Sequence, residues 1–256
     1  MATCSMLCDV FNGETGLVVA IIGSDGSGKS TLCRDLAEEL RQRGPVDSIY
    51  FGSGDGTSSW LRWPLVQLRR VITTSPKSTA PRPADAPLSV ATDERRRGRC
   101  VTTARTIWAL TLAWEKRGKL RAAARARQRG RLVVCDRFPQ AQVGGLMDGP
   151  LLHAWTSRGR GFRRMMASLE ARPYVRAELE PPDLVLRLIV DQEHAQQRRP
   201  EHDPVDLARR RAIVEALRFD GAEFGVVDLD SSMPADDVRR AAMLAIDQCR
   251  NGARRR

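Results

Sequence analysis

The sequence predicts an α/β fold in which a parallel sheet of about five strands carries helices on both faces. Two observations support this prediction. Short apolar runs at residues 17–22, 46–51, 131–136, 184–190 and 225–229 have the length and composition of buried strands. Segments with apolar residues at helical spacing separate these runs. Strands that alternate with helices in this way pair in parallel, because each connection crosses back over the sheet.

A glycine-rich loop joins the first predicted strand to the first predicted helix. Residues 23–31 read Gly-Ser-Asp-Gly-Ser-Gly-Lys-Ser-Thr and fit the phosphate-loop spacing Gly-x4-Gly-Lys-Ser/Thr. The glycines let backbone N–H groups approach a phosphate chain, and the start of a helix favours anions. The loop in this context predicts a P-loop NTPase-type fold that binds a nucleoside triphosphate, which we take to be ATP, although the motif does not distinguish ATP from GTP.

The residues of this loop have separate predicted roles. Lys29 is expected to reach the β and γ phosphates, and the Ser30 hydroxyl is expected to complete the coordination of Mg²⁺. The predicted contacts to the triphosphate are Gly23, Asp25, Gly26, Ser27, Gly28, Lys29, Ser30 and Thr31.

A second motif ends the third predicted strand, where Asp136 is followed at once by Arg137. A carboxylate at a strand end beside a phosphate loop is the usual partner of Mg²⁺. Asp136 is therefore predicted to hold the metal or to orient the attacking oxygen. Arg137 is predicted to bind a second phosphate or a carboxylate. Residues 139–150, which follow, are predicted to form an irregular loop beside the site.

The chain is predicted to form a single domain over residues 14–250, with a disordered N-terminus at 1–13 and a basic tail at 251–256. Residues 73–97 are rich in proline and arginine and predict a flexible loop, which is either a lid or functionless disorder. The other irregular predictions are a glycine turn at 52–56, a helix at 58–72, a long helix from about 98 to 128, and a separate short helix at 173–179.

The net charge of +11 is concentrated in one segment, because residues 93–131 hold thirteen Lys/Arg and three Asp/Glu. Four of these, Arg117, Arg121, Arg125 and Arg129, would form one ridge along a helix. Three interpretations are open: a solvated face, a wall that attracts an anionic substrate, or a nucleic-acid surface. The scarcity of aromatic residues among the arginines disfavours nucleic acid as a partner.

The composition also limits the expected location. No apolar run reaches the roughly 18 residues of a membrane span, and the N-terminus lacks the pattern of a secretory signal. The six cysteines contain no C-x-x-C pair, so we expect free thiols, no zinc site and a cytoplasmic protein.

Taken together, these motifs resemble the thymidylate kinase-like branch of the P-loop nucleoside monophosphate kinases, of which this chain would be a divergent member. Asp25 is similar to the acidic residue that the branch places in its loop, and residues 182–191 are similar to its penultimate strand. Residues 195–199 look like the start of its lid, which we assign to 191–211. The resemblance implies that Arg198 and Arg199 contact the transferring phosphoryl.

The resemblance spans residues 17–249 and has one marked departure. The branch usually carries Arg-Glu-Pro-Gly-Gly after its second strand, whereas this chain has Phe-Gly-Ser-Gly-Asp-Gly at 51–56. That difference argues against thymidine monophosphate as the acceptor.

The predicted function is transfer of the γ-phosphoryl of ATP, with Mg²⁺, to a nucleoside monophosphate or a similar phosphorylated small molecule. One alternative is a kinase of an unphosphorylated nucleoside, sugar or specialised metabolite. Another is a nucleotide-gated nucleic-acid-binding protein or a catalytically inactive P-loop protein. No membrane partner is expected, and a homodimer is left open. The candidate catalytic residues are Lys29, Asp136, Arg137, Arg198, Arg199 and Asp25, of which Asp25 and Asp136 are also candidate contacts to an acceptor hydroxyl.

Overall fold

Five parallel strands form one sheet at the centre of the computed structural model, which describes residues 16–52 and 88–254. The predictions for residues 1–13, for 58–72 and for most of the 52–56 turn and the 73–97 loop lie outside the described residues. The strands occur in the order β2-β3-β1-β4-β5. They are β1 (Leu17–Gly23), β2 (Val46–Tyr50), β3 (Leu132–Asp136), β4 (Leu184–Ile189) and β5 (Val226–Asp230).

Helices follow the strands and cover both faces of the sheet. Alternate residues of β1 point to opposite faces, as the two-residue period of a strand requires. The helices are α1 (Lys29–Arg41), α2 (Leu88–Gln128), α3 (Ala154–Arg158), α4 (Phe162–Leu179), α5 (Gln192–Arg198), α6 (Pro204–Ala216) and α7 (Ala235–Arg254). Val19 and Ile21 pack in a core with α1 and α7, whereas Val18 and Ala20 pack in a second core with α2. The predicted fold class is therefore confirmed.

The start of α2 corrects the predicted loop boundary. The helix begins at Leu88, so residues 88–97 are helical and do not belong to a flexible loop. Pro87 is the last proline of that stretch, and neither proline nor glycine occurs from 88 to 97. Proline is tolerated before the first turn of a helix and disruptive inside it, so the helix starts directly after Pro87. Its predicted end is correct, because α2 stops at Gln128 before Gly130.

Two further boundaries differ from the predictions. Residues 173–179 are not a separate helix, because α4 runs unbroken from Phe162 to Leu179 with Pro173 inside it. An internal proline costs a helix about 3 kcal/mol. The burial of Tyr174, directly after the proline, and of Ala177, one turn on, supplies packing that offsets this cost. At the C-terminus, α7 continues through Arg254, so most of the predicted tail is helical.

Two structural findings concern the wider composition. Cys33, Cys135 and Cys249 are buried free thiols. Within residues 16–52 and 88–254, no helix has the length and apolar character needed to cross a membrane.

Candidate nucleotide and acceptor site

The glycine-rich loop lies between β1 and α1, at the carboxyl edge of the sheet. Gly26 and Gly28 both have a φ of 82°, a left-handed conformation that glycine adopts without strain. A Cβ on Gly23 would lie only 2.9 Å from the Leu188 carbonyl oxygen on the neighbouring strand. The first turn of α1 contains no acidic residue, so its positive end is not neutralised from within the helix. The loop is therefore shaped to receive an anion.

Lys29 is the buried cation of this loop. Its side chain is 5% exposed, and its ammonium group donates to the Ser24 carbonyl oxygen and to Ser27 Oγ. Burial lowers the pKa of Lys29 to about 8, and the positive charge of Arg137 acts in the same direction. The Asp25 and Asp136 carboxylates oppose that shift. Lys29 thus sits among charged neighbours, where an added phosphate would favour its protonated form.

The backbone holds Asp136 and Arg137 at the end of β3, next to the loop. Asp136 pairs with Ile21 in the β1–β3 register. The Asp136 carbonyl oxygen accepts from Phe51 N at 2.9 Å, and Arg137 N donates to the Ile21 carbonyl oxygen at 2.9 Å. Arg137 has a φ of 67°, which is uncommon for a residue with a side chain, and residues in such conformations cluster at functional sites.

Asp136 and Ser30 fit Mg²⁺ by their donor chemistry. Asp136 is 6% exposed, and its Oδ1 atom has no hydrogen-bond partner among the described residues. A buried carboxylate oxygen in this state costs free energy unless a further group occupies it. Ser30 places an exposed hydroxyl in the first turn of α1. Carboxylate and hydroxyl oxygens are ligands that Mg²⁺ accepts.

Two carboxylates share the guanidinium of Arg137. Its Nη2 lies 3.4 Å from Asp25 Oδ1, and its Nη1 lies 3.4 Å from Asp148 Oδ2. The other oxygen of Asp25 lies 2.8 Å from Arg210 Nη1. Burial raises the pKa of Asp25, but the charges of Lys29, Arg137 and Arg210 outweigh it and hold that pKa below its ordinary value. Asp25 is consequently an ionised link between the loop and two arginines.

Sequence reasoning missed three members of this charge cluster, namely Lys116, Asp148 and Arg210. Lys116 is 4% exposed, donates to the Phe51 carbonyl oxygen at 2.9 Å and lies 3.2 Å from Asp148. One signal was available for it: Lys116 stands four residues from both Leu112 and Leu120, on the apolar side of α2.

The two predicted lid arginines lie beside the loop in different ways. Arg198 donates to the Gly26 carbonyl oxygen at 3.2 Å and to the Ser231 carbonyl oxygen at 3.1 Å. Arg199 packs its aliphatic stem near Gly26. Its guanidinium instead pairs with Glu201 at 3.3 Å and is exposed. Arg198 therefore touches the loop backbone with its charged end, and Arg199 does not.

A cavity of about 290 Å³ opens beside the loop, toward the connection between β5 and α7. Gly28 and Thr31 form the wall next to the backbone of the glycine loop, and Arg198 forms another. Ser231 and Met233 line the side nearest β5. This volume is at the lower end of the range for small-molecule sites.

Buried polar side chains fix the loop of residues 139–150 through hydrogen bonds to its backbone and to the residues that follow it. Gln140 is 1% exposed; its amide donates to the carbonyl oxygens of Val143 and Leu146, and its Oε1 accepts from Val143 N at 2.7 Å. The buried Glu170 carboxylate accepts from the backbone N–H groups of Leu151 and Leu152 at 2.6 and 2.7 Å. These bonds give a defined shape to a segment that has no regular secondary structure.

The sheet, the glycine loop and the Asp136–Arg137 step define a P-loop-type α/β protein. No family model matches the chain. It is similar to "Uncharacterized ATP-binding protein YghS" of Escherichia coli K12, with 32% identity over 242 residues that cover 93% of this chain and 95% of that protein. It is also similar to "Uncharacterized ATP-binding protein YghR" of the same strain, with 29% identity over 239 residues, 90% of this chain and 86% of YghR. The chain belongs to the same family as YghS.

Proposed function

We propose that this chain is a kinase that binds ATP at residues 23–31 and transfers its γ-phosphoryl to a small phosphorylated acceptor such as a nucleoside monophosphate. The observation that carries the proposal is the shared carboxylate of Asp25. The charge of Lys29, on the donor side, lowers the pKa of this carboxylate, and Arg137, beside the loop of residues 139–150, contacts it directly. This shared carboxylate supports the proposal, because phosphoryl transfer depends on holding the donor and the acceptor close together among stabilising positive charges.

ATP as the donor is supported by the names of the relatives YghS and YghR, which are both ATP-binding proteins. The 290 Å³ cavity next to the loop suits the nucleoside part of the donor. Ser30 and Asp136 would hold Mg²⁺, which when bound neutralises the charge of the phosphates. These residues support a complete donor site within the chain.

Phosphoryl transfer needs positioning and charge stabilisation more than a strong base, because its transition state is loose. Lys29 supplies a positive charge inside the loop. Arg198 contacts the loop backbone at Gly26, which places a second positive charge beside the phosphate-binding amides. The Oδ1 atom of Asp136, which has no partner in the described part of the chain, would serve Mg²⁺ in this scheme, and orientation of the acceptor oxygen is its alternative role. This division of roles is similar to that of the thymidylate kinase-like branch.

A second candidate, a kinase of an unphosphorylated acceptor, is favoured by one observation. Arg137 is already paired with both Asp25 and Asp148, so part of its charge is neutralised before any acceptor arrives. An acceptor hydroxyl that faces Asp136 would need no cation of this kind. The two candidates differ only in whether the acceptor carries a phosphate.

Matched pairs of acceptors test the proposal. Each nucleoside monophosphate and its nucleoside, and each sugar phosphate and its sugar, is incubated with ATP, Mg²⁺ and the protein, and both ADP release and the phosphorylated product are measured. We expect turnover with at least one phosphorylated member and much less with its unphosphorylated partner. The reverse preference would establish the second candidate.

Two variants control for contaminating kinases. Lys29→Ala should reduce acceptor-dependent ADP release by at least about 100-fold, since it removes charge stabilisation at the transferring group. Arg209→Met, which alters an exposed arginine without an ion pair in the described structure, should leave it unchanged. Equal activity of Lys29→Ala and wild type would exclude the kinase.

A further inference from the structure

Charged side chains of alternating sign form a continuous row of ion pairs across the carboxyl edge of the sheet. This row starts on α2, passes through the loop of residues 139–150, the end of β3 and the glycine loop, and ends on α6. Successive side chains are 3.2, 3.4, 3.4, 2.8 and 2.8 Å apart. Its members, in order, are Lys116, Asp148, Arg137, Asp25, Arg210 and Asp206.

Arg210 bridges two carboxylates in this row of ion pairs. It lies on α6, inside the 191–211 segment assigned to the lid but outside the predicted site residues, and its Nη1 atom is the closest cationic partner of Asp25 among the described residues, at 2.8 Å. Its Nε is held by Asp206, one helical turn earlier, also at 2.8 Å. The side chains of Arg210 and Asp25 are 28% and 23% exposed, so solvent screens their interaction only in part.

The position of Asp25 creates an electrostatic problem for a phosphate-binding loop. A carboxylate inside the loop repels incoming phosphates and competes with them for Arg137. The contact with Arg210 reduces both the repulsion of phosphates and the competition for Arg137. Its guanidinium neutralises the carboxylate at the oxygen that Arg137 does not contact. Removal of that guanidinium would leave Asp25 with Arg137 and Lys29 as its remaining cationic neighbours.

We propose that Arg210 is a positioning residue of the phosphate site. It acts through Asp25: it neutralises this carboxylate, so that the loop accepts phosphate groups and Arg137 stays available to the acceptor. The inference rests on the proposed function only in that the loop must bind a nucleotide. It requires no knowledge of the acceptor.

The test is the affinity for MgADP, measured by calorimetry on the full chain. The variants are Arg210→Met, Asp25→Asn and the double variant, and Arg209→Met is the matched control on the same helix. Arg210→Met should weaken MgADP binding about fivefold or more, the lower range of a coupling between sites. Asp25→Asn should bind at least as tightly as wild type, because the repelling charge is gone.

The double variant decides the mechanism. If Arg210 acts by neutralising Asp25, the double variant binds MgADP as Asp25→Asn does, and the loss caused by Arg210→Met disappears. If the double variant stays as weak as Arg210→Met, Arg210 contacts the nucleotide or holds α6 in place, and the proposal is overturned. An unchanged affinity in Arg210→Met would overturn it as well.

A conservative variant separates charge from packing. Arg210→Lys keeps a positive charge near Asp25 but loses the planar guanidinium that bridges Asp25 and Asp206, so it should recover part of the affinity lost in Arg210→Met. A lysine variant as weak as the methionine variant would contradict neutralisation. Failure of the wild-type chain to bind MgADP would remove the nucleotide site itself, and so refute the proposed function separately from the role of Arg210.

Discussion

The ammonium group of Lys116 lies 3.2 Å from the carboxylate of Asp148, and these side chains are only 5% and 8% exposed. Asp148 also contacts Arg137, so this buried pair supports the residue that we propose faces the acceptor. Removing one partner of a buried ion pair leaves the other uncompensated. The pair therefore connects the stability of the fold to the geometry of the site.

Lys116→Met is expected to lower the free energy of unfolding by about 3 kcal/mol, since it leaves Asp148 and the Phe51 carbonyl oxygen with fewer partners. Urea denaturation measures this change. The double variant Lys116→Met/Asp148→Asn should lose less than the sum of the single variants. Arg117→Met, at an exposed position of the same helix, is the control and should change stability by less than about 0.5 kcal/mol. Additive losses in the double variant would show that the two residues act independently.

MgADP affinity is expected to fall as the pH rises from about 7 to about 9.5, the range around the pKa of Lys29. Burial lowers that pKa to about 8, so the unliganded side chain loses its proton in this range, whereas bound phosphate favours the protonated form. Binding on the alkaline side of this pKa should therefore take up a proton, which calorimetry in two buffers of different ionisation enthalpy detects. Lys29→Arg should bind without this uptake. Binding without proton uptake in the wild-type protein would contradict the prediction.

The same pKa has the opposite consequence for the stability of the ligand-free chain. Folding lowers the pKa of Lys29 from 10.5 to about 8, so the cost of burying the ammonium group is fully present below about pH 8. That cost is relieved as the pH rises from about 8 toward 10.5, where the folded state binds fewer protons than the unfolded state. The contribution of Lys29 to stability thus improves over the range in which nucleotide affinity declines.

Two glycine-to-alanine substitutions should have opposite effects. A Cβ on Gly149 would collide with the Val143 carbonyl oxygen, so Gly149→Ala must displace the loop that carries Asp148. We expect a lower melting temperature and a loss of acceptor-dependent turnover. Gly118 lies in the middle of α2, and a Cβ there would meet no atom of another described element within 4 Å. Gly118→Ala should therefore stabilise the chain by about 0.5–1 kcal/mol. Stabilisation by both substitutions would show that the 139–150 loop is not tightly packed.

The arginine ridge of α2 distinguishes the kinase from a nucleotide-gated nucleic-acid-binding protein. Arg117, Arg121, Arg125 and Arg129 are exposed, and no ion pair involves them in the described part of the chain. If the chain is a kinase, the double variant Arg121→Gln/Arg125→Gln should leave MgADP affinity and turnover unchanged. Single-stranded DNA binding, measured by fluorescence anisotropy over a salt series, should be independent of nucleotide. A steep salt dependence combined with control of DNA affinity by ATP would instead support the nucleic-acid protein.

The features whose conformation depends on residues close by in the sequence were predictable from the sequence alone. The glycine loop and the strand that ends in Asp136 are short segments whose conformation follows from local spacing and apolar periodicity. The five strands and their parallel arrangement follow from the alternation of these segments along the chain. The start of α2 was predicted wrongly because the flexible loop was extended past Pro87, the last proline of that stretch, into residues that can form a helix. The continuity of α4 through Pro173 was predicted wrongly because the burial of Tyr174 and Ala177 offsets the cost of the proline.

Only the tertiary structure decided which charges meet. Asp25 and Arg210 are 185 residues apart in the chain, and the Arg137–Asp148 pair joins a strand end to a loop with no regular pattern. Nothing in the local sequence distinguishes Arg210 from its neighbours Arg209 and Arg211, since the Asp206 spacing marks only a helix surface pair. The sequence by itself predicted a phosphate site at the carboxyl edge of the sheet. The packing of α2 and α6 against that edge determined which cations surround it, because ion pairs form between side chains that the fold brings within a few ångströms of each other.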